Sequence, residues 1–108
     1  MEIVKYDEEA DAVYVAVSSK KVYYSLEVGP RIVVDLSESK KVIGVEVIDA
    51  SKLFSELFGR KVSKSDLKKL DCVLNDREEL MLQFGLGRQK QRMILPNAYR
   101  SPILNLNS

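Results

Sequence analysis

Apolar and polar side chains alternate in short runs over the first half of the chain. Met1 to Tyr6 (MEIVKY) alternates weakly, and Val13, Val15 and Val17 then point one way with Tyr14, Ala16 and Ser18 the other. VYYSLEV follows from Val22 to Val28 and is broken by Gly29-Pro30, a strong turn signal. RIVVDL (Arg31 to Leu36) sets Ile32, Val34 and Leu36 on one face. After the polar run SESKK, VIGVEVI (Val42 to Ile48) sets Ile43, Val45 and Val47 on one face. Period-2 alternation with short polar links predicts an antiparallel meander with one buried face.

The period then changes. Ala50, Leu53, Phe54, Leu57 and Phe58 form one helical stripe at i, i+3, i+4, i+7 and i+8. Asp49 stands where a cap belongs, with Ser51 as the alternative, and Gly59 is the stop. A shorter helix is expected from Ser63, which Asp66 follows at capping-box spacing, with Leu67 and Leu70 as its apolar positions. Strand patterns return over 70–95. LDCVL is brief, Asn75 to Glu78 is a turn, and ELMLQFGL sets Leu80, Leu82, Phe84 and Leu86 on one face. The fold class is therefore α+β: an antiparallel sheet over 1–48, a covering helix at 50–58 and further antiparallel strands over 70–95. Residues 1–96 read as one domain. Residues 97–108, with Ile103, Leu104 and Leu106 scattered beyond Pro96, read as an extended arm.

Composition sharpens this picture by exclusion. The 108 residues are 45% hydrophobic and 31% charged, enough to bury a core. Histidine is absent, which removes Ser-His and Cys-His nucleophilic systems and histidine-ligated metals. The lone Cys72 has no partner for an internal disulfide and suits a reducing, cytoplasmic setting. No apolar run approaches a membrane span, and residues 1–20 show no signal-peptide core. The net charge of +1 hides an asymmetry: residues 1–54 hold seven Lys/Arg and ten Asp/Glu, whereas 55–108 hold ten and six. From Gly85 onward there are cations at Arg88, Lys90, Arg92 and Arg100 and no acid.

The acidic run YDEEADAVYV, Tyr6 to Val15, raises the question of a site. Asp7, Glu9 and Asp11 are spaced like the start of a calcium loop, but an EF-hand would need Gly and Glu where Ala12 and Ser18 stand. A solvated hairpin, its Asp bonding nearby backbone N–H groups, is the expectation. Neither a metal nor another cofactor is expected.

YDEEADAVYV, IVVDL and GVEVIDAS occur in this order with short spacers. The set resembles a family of small bacterial and archaeal proteins known as domain of unknown function number twenty-two eighty-three, whose pattern covers roughly residues 3–54. The matching positions are Tyr6, Asp7, Glu9, Ala10, Asp11, Tyr14, Val34, Asp35, Gly44, Glu46, Asp49, Ala50 and Ser51. Glu8, where Pro is common, and Ser39-Lys40, where Gly is usual, depart from it. The resemblance implies a small sheet packed by a helix in residues 1–58, with the helix and strands of 60–96 as an addition. It implies no established activity; genes of the family stand beside small toxin-like partners, which implies an antitoxin-like binding role.

Three groups of side chains are candidates. Asp7, Glu9, Asp11, Asp35, Glu46 and Asp49 form a candidate functional surface, with Asp35 and Glu46 on neighbouring strands and Lys5 or Arg31 expected between them. Tyr6, Tyr14, Tyr23 and Tyr24, interleaved with Lys20, Lys21 and Arg31, are a candidate stacking surface. Arg88, Lys90 and Arg92 would line one face of a strand and, with Arg100, are candidate phosphate contacts; a charged edge that discourages aggregation is the competing explanation. No catalytic constellation is present. The function expected is a noncatalytic protein-interaction module that self-associates, with some of the surface formed by Leu80, Leu82, Phe84 and Leu86, together with Ile103 and Leu106, buried between subunits. The alternative is a nucleic-acid-binding accessory protein using the basic C-terminal half.

Overall fold

The computed structural model describes residues 2–95. Along these the elements are β1 (Ile3–Asp7), β2 (Ala12–Ala16), β3 (Tyr24–Gly29), β4 (Ile32–Leu36), β5 (Val42–Val47), α1 (Ala50–Phe58), α2 (Lys64–Leu67), β6 (Asp71–Asn75), β7 (Leu80–Leu86) and β8 (Gln89–Leu95). A five-stranded antiparallel sheet precedes the helices and a separate three-stranded antiparallel sheet follows them. The α+β class read from the pattern is the observed one. The arm expected over 97–108, together with Arg100, Ile103 and Leu106, lies outside the described residues.

The first sheet is not the simple meander that the pattern predicts. Its order is β1-β2-β5-β4-β3, so β5 pairs with β2 and β3 is displaced to the far edge. Burial explains the order. Every β5 residue except Glu46 is buried, whereas the first four residues of β3 are exposed. The strand with apolar side chains to bury on both faces takes the middle, and the half-polar strand takes the rim. Val17 and Ser18 N–H groups both donate to the Ile43 carbonyl (2.9 and 3.1 Å), holding β2 against β5 before the chain crosses to β3.

A bulge revises one face assignment. Between Asp35 and Leu36 the pairing shifts from Gly44 to Val42, leaving Ile43 as the extra residue. Val42 therefore joins Val45 and Val47 in the main core cluster, while Ile43 is buried outside it.

The stripe on α1 packs as its spacing predicts: Ala50, Phe54 and Phe58 are buried and Leu53 and Leu57 are partly so. Phe54 and Phe84 of β7 meet edge to face, 4.8 Å between centroids and 76° between planes. A large apolar side chain such as Phe54, taken wholly out of water, contributes about 1.5–3 kcal/mol. Leu80, Leu82, Phe84 and Leu86 are also buried in this cluster. The whole row is therefore core within one chain, and none of it is left for the subunit interface expected to take part of it. One helix suffices because the two sheets share a single apolar cluster. They meet where the Glu2 N–H donates to the Cys72 carbonyl (3.3 Å) and the Leu74 N–H donates to the Glu2 carboxylate (2.8 Å). The short helix α2 carries the expected capping box, Ser63 and Asp66 each accepting from the other's backbone N–H. Among the described residues no helix is long and apolar enough to cross a membrane.

Candidate functional site

The acidic turn between β1 and β2 is a clamp on the helix. Asp7 Oδ1 accepts the N–H groups of Glu9 (3.0 Å) and Ala10 (3.2 Å), which closes the turn locally. Asp11, in the left-handed region at φ 50°, turns its carboxylate toward the start of α1. Its Oδ1 accepts from the Tyr6 hydroxyl at 2.8 Å, and its Oδ2 accepts from the Ser51 hydroxyl at 2.6 Å. The Ser51 N–H reaches both oxygens, at 3.1 and 3.3 Å, and the Ala50 N–H donates to the Asp11 carbonyl at 2.8 Å. Asp49 occupies the N-cap position but makes no side-chain cap bond. The cap comes from forty residues away: among the described residues, Asp11 is the side chain aimed at the orphan N–H groups of the first turn. Burial works against the Asp11 carboxylate, yet the hydrogen bonds from Ser51 and Tyr6, aided by Lys64, hold its pKa below the ordinary value. The same contact, after burial itself, pushes Tyr6 up to about 12.

A second constellation lies on the opposite face of the sheet. The register aligns Lys5, Tyr14, Glu46, Val33 and Glu27 in one cross-strand row, and Ile3, Ala16, Gly44, Asp35 and Ser25 in the next. Tyr14 leans across from the first row to the second, and its hydroxyl donates to Asp35 Oδ2 at 3.0 Å. Ser25 donates to Asp35 Oδ1 at 2.7 Å. Gly44 makes the crossing feasible, since a Cβ there would collide with the Tyr14 ring and hydroxyl. Asp35 and Glu46 do share this face, but the group between them is the Tyr14 phenol and not the expected cation; Arg31 pairs with Glu56 at 3.3 Å. Burial, then the bond to Asp35 and the nearby carboxylates, raises Tyr14 to about 12. The phenol is thus a fixed donor at neutral pH, and both Asp35 oxygens already accept a hydroxyl. This geometry orients side chains and supplies no activated nucleophile.

Residues 3–51 match the family Protein of unknown function (DUF2283). The match spans a little under half of the chain. No curated protein and no solved structure matches the chain. The positions read as the DUF2283 pattern divide between the two constellations: Tyr6, Asp7, Asp11, Ala50 and Ser51 build the clamp, and Tyr14, Asp35, Gly44 and Glu46 lie on the outer face. The six carboxylates singled out from sequence are therefore not one surface. Two residues that complete the outer-face group differ in how far the sequence signals them. Ser25 carried no signal at all, whereas Gly44 in the middle of an apolar strand was itself a sign of close approach.

The remaining candidates separate as well. Tyr6 packs against the core, Tyr14 lies on the outer face, and Tyr23 and Tyr24 are exposed beside the rim with ring centroids 6.4 Å apart. The four do not form one stacking platform. Lys21 Nζ sits over the Tyr23 ring at 5.3 Å. Lys90 and Arg92 stand exposed on β8 opposite Gly85 and Gln83, but Arg88 occupies the two-residue turn with Gly87 rather than the strand. A left-handed Gly87 (φ 64°) is what such a tight hairpin requires. Among the described residues no group of three or more His, Cys, Asp and Glu is arranged to hold a metal ion.

Proposed function

We propose that this chain is a noncatalytic protein-interaction module whose docking element is the β3 rim of the five-stranded sheet. The observation that carries the reading is the state of that rim. β3 pairs with β4 alone among the described strands, and its Tyr24 and Leu26 side chains are 43% and 37% exposed. An edge strand with unpaired backbone groups and apolar flanks is a template for another strand. The two polar constellations support this reading because Tyr6, Asp11, Tyr14 and Asp35 spend their polar atoms on internal contacts. The antitoxin-like role implied by the family resemblance is one form of it. The core shared by the two sheets supports treating 1–96 as one domain, and the free, buried Cys72 suits a cytoplasmic setting.

Leu26→Lys tests the reading, since an inward-facing charge on an edge strand opposes strand addition. Wild type and variant serve as baits in extract of the source organism, with recovered proteins quantified by mass spectrometry. A partner held by wild type and lost by folded Leu26→Lys is expected. Equal recovery by both overturns the reading.

A second reading rests on the exposed Lys90 and Arg92 with Arg88 in the adjoining turn. If these three neutralise duplex phosphates, log affinity falls against log salt with a slope of about −2.7, and Arg88→Ala removes about 0.9 of it. The interaction-module reading expects weak binding that physiological salt abolishes. Fluorescence anisotropy over a salt series separates the two.

A further inference from the structure

We propose that the β3 rim pairs with the β3 rim of a second copy of this chain, antiparallel across a two-fold axis at Ser25. The inference rests on the interaction-module reading and names the partner of that same edge. Which backbone groups face outward follows from the ladder. The Ile48 N–H donates to the Arg31 carbonyl (2.8 Å), so Arg31, and by alternation Val33 and Asp35, address β5. Ile32, Val34 and Leu36 then address β3, where Leu26 and Tyr24 stand opposite Val34 and Leu36. The backbone groups of Ser25 and Glu27 are left pointing away from the sheet. The Tyr23 N–H is already taken by the Leu36 carbonyl at 2.8 Å, but its carbonyl is not used in that bond.

Centring the axis on Ser25 uses all of these groups except the Glu27 carbonyl, whose counterpart, the Tyr23 N–H, is already taken. Ser25 exchanges two hydrogen bonds with its own copy, and each Glu27 N–H meets the Tyr23 carbonyl across the interface. Tyr24 and Leu26 fall opposite each other twice, so the exposed aromatic and aliphatic side chains cover one another. Charge fits the same register. Glu27 faces Tyr23, and Lys21, held over the Tyr23 ring, lies on the diagonal from Glu27 of the other copy. Moving the axis to Leu26 instead brings the two Glu27 side chains onto one diagonal. The bulge between Glu27 and Gly29, followed by Pro30, limits the pairing to this short stretch.

Of the other three rims, β1 and β6 approach each other where the Glu2 N–H donates to the Cys72 carbonyl, and β8 is guarded by charge. β8, one of the two outer strands of the second sheet, carries Lys90 and Arg92, so self-pairing would oppose like charges. β3 carries one charge, Glu27, which the Ser25-centred register sets opposite Tyr23 rather than opposite its own copy.

The mass of the wild type in solution and two single-cysteine variants test the proposal. Light scattering at micromolar concentration should give twice the 12.3 kDa chain mass, and Leu26→Lys should return it to one. Cys72 is buried, so an introduced thiol is the one that reacts. Opposed residues of a hydrogen-bonded pair have Cα atoms about 5.5 Å apart, within the range a disulfide spans. Ser25→Cys should therefore give a covalent dimer under mild oxidation. Glu27→Cys should not, its two copies being four residues out of step, about 13 Å. A wild type that stays at 12.3 kDa, or equal cross-linking at both positions, overturns the proposal. A monomeric wild type whose extract partner is still lost in Leu26→Lys overturns the second copy and leaves the module reading standing. A monomer with unchanged recovery overturns both.

Discussion

Asp11→Ala should be the most destabilising single change to a charged residue in the acidic turn. The carboxylate receives three donors, the Tyr6 hydroxyl, the Ser51 hydroxyl and the Ser51 N–H, at 2.6–3.3 Å. A hydrogen bond to a charged group contributes about 1.5–3 kcal/mol, and loss of an N-cap costs about 0.5–2 kcal/mol. The site is only partly buried, so water recovers some of each donor and simple addition overshoots. A loss of about 3 kcal/mol is the balance, equivalent to a melting temperature lower by about 12–20 °C for a domain near this size. Asp11→Asn keeps an acceptor and tolerates the left-handed backbone, so about half that loss is expected. Asp49→Asn is the contrast: its side chain makes no cap bond, so only its charge near the helix dipole is lost, under about 1 kcal/mol. Urea unfolding at neutral pH measures all three.

The pH dependence has a definite sign. The folded pKa of Asp11 is depressed, so its contribution is complete above the unfolded value and disappears as pH falls through the folded one. Wild-type and Asp11→Asn stabilities should therefore begin to converge only as pH falls below about 4. The capping argument is refuted if Asp11→Ala stays within about 0.5 kcal/mol of wild type, the range of an ordinary surface substitution. It is refuted equally if Asp49→Asn costs as much as Asp11→Asn.

Gly44→Ala should lose about 1–3 kcal/mol by driving the Tyr14 ring off its seat, and most of that cost should vanish in a Tyr14→Ala background; a cost unchanged there would sever the link between the two residues. In an alkaline absorbance titration, Tyr6 and Tyr14 should ionise late, at about 12, and Tyr6→Phe and Tyr14→Phe should each delete one late component. Because both folded values are raised, the stability these two phenols contribute is full below pH 10 and fades as pH climbs toward 12, a trend that chemical denaturation across this range would check.

The local rules of the chain were legible in its sequence. Alternation and period changes placed the strands of both sheets and the stripe on α1, since side-chain direction in strands and helices depends on near neighbours alone. The capping box of α2 was readable for the same reason: Ser63 and Asp66 lie within one turn. The chemistry excluded by the absence of histidine was also decided by composition. What tertiary structure alone decided was every choice between partners distant in sequence. Alternation marks a strand but does not rank its neighbours, so β3 and β5 exchanged places once burial on two faces had to be satisfied. The cap rule pointed to Asp49 because that residue is adjacent, while the carboxylate aimed at the helix is Asp11, brought there by the β1–β2 turn. The alternation from Leu80 to Leu86 marks an apolar face but not what covers it; it is buried because both sheets and α1 share one cluster, in which Phe54 meets Phe84. In each case the sequence states what a side chain prefers, and the fold determines which distant group meets it, because burial and hydrogen bonding are satisfied for the whole chain at once.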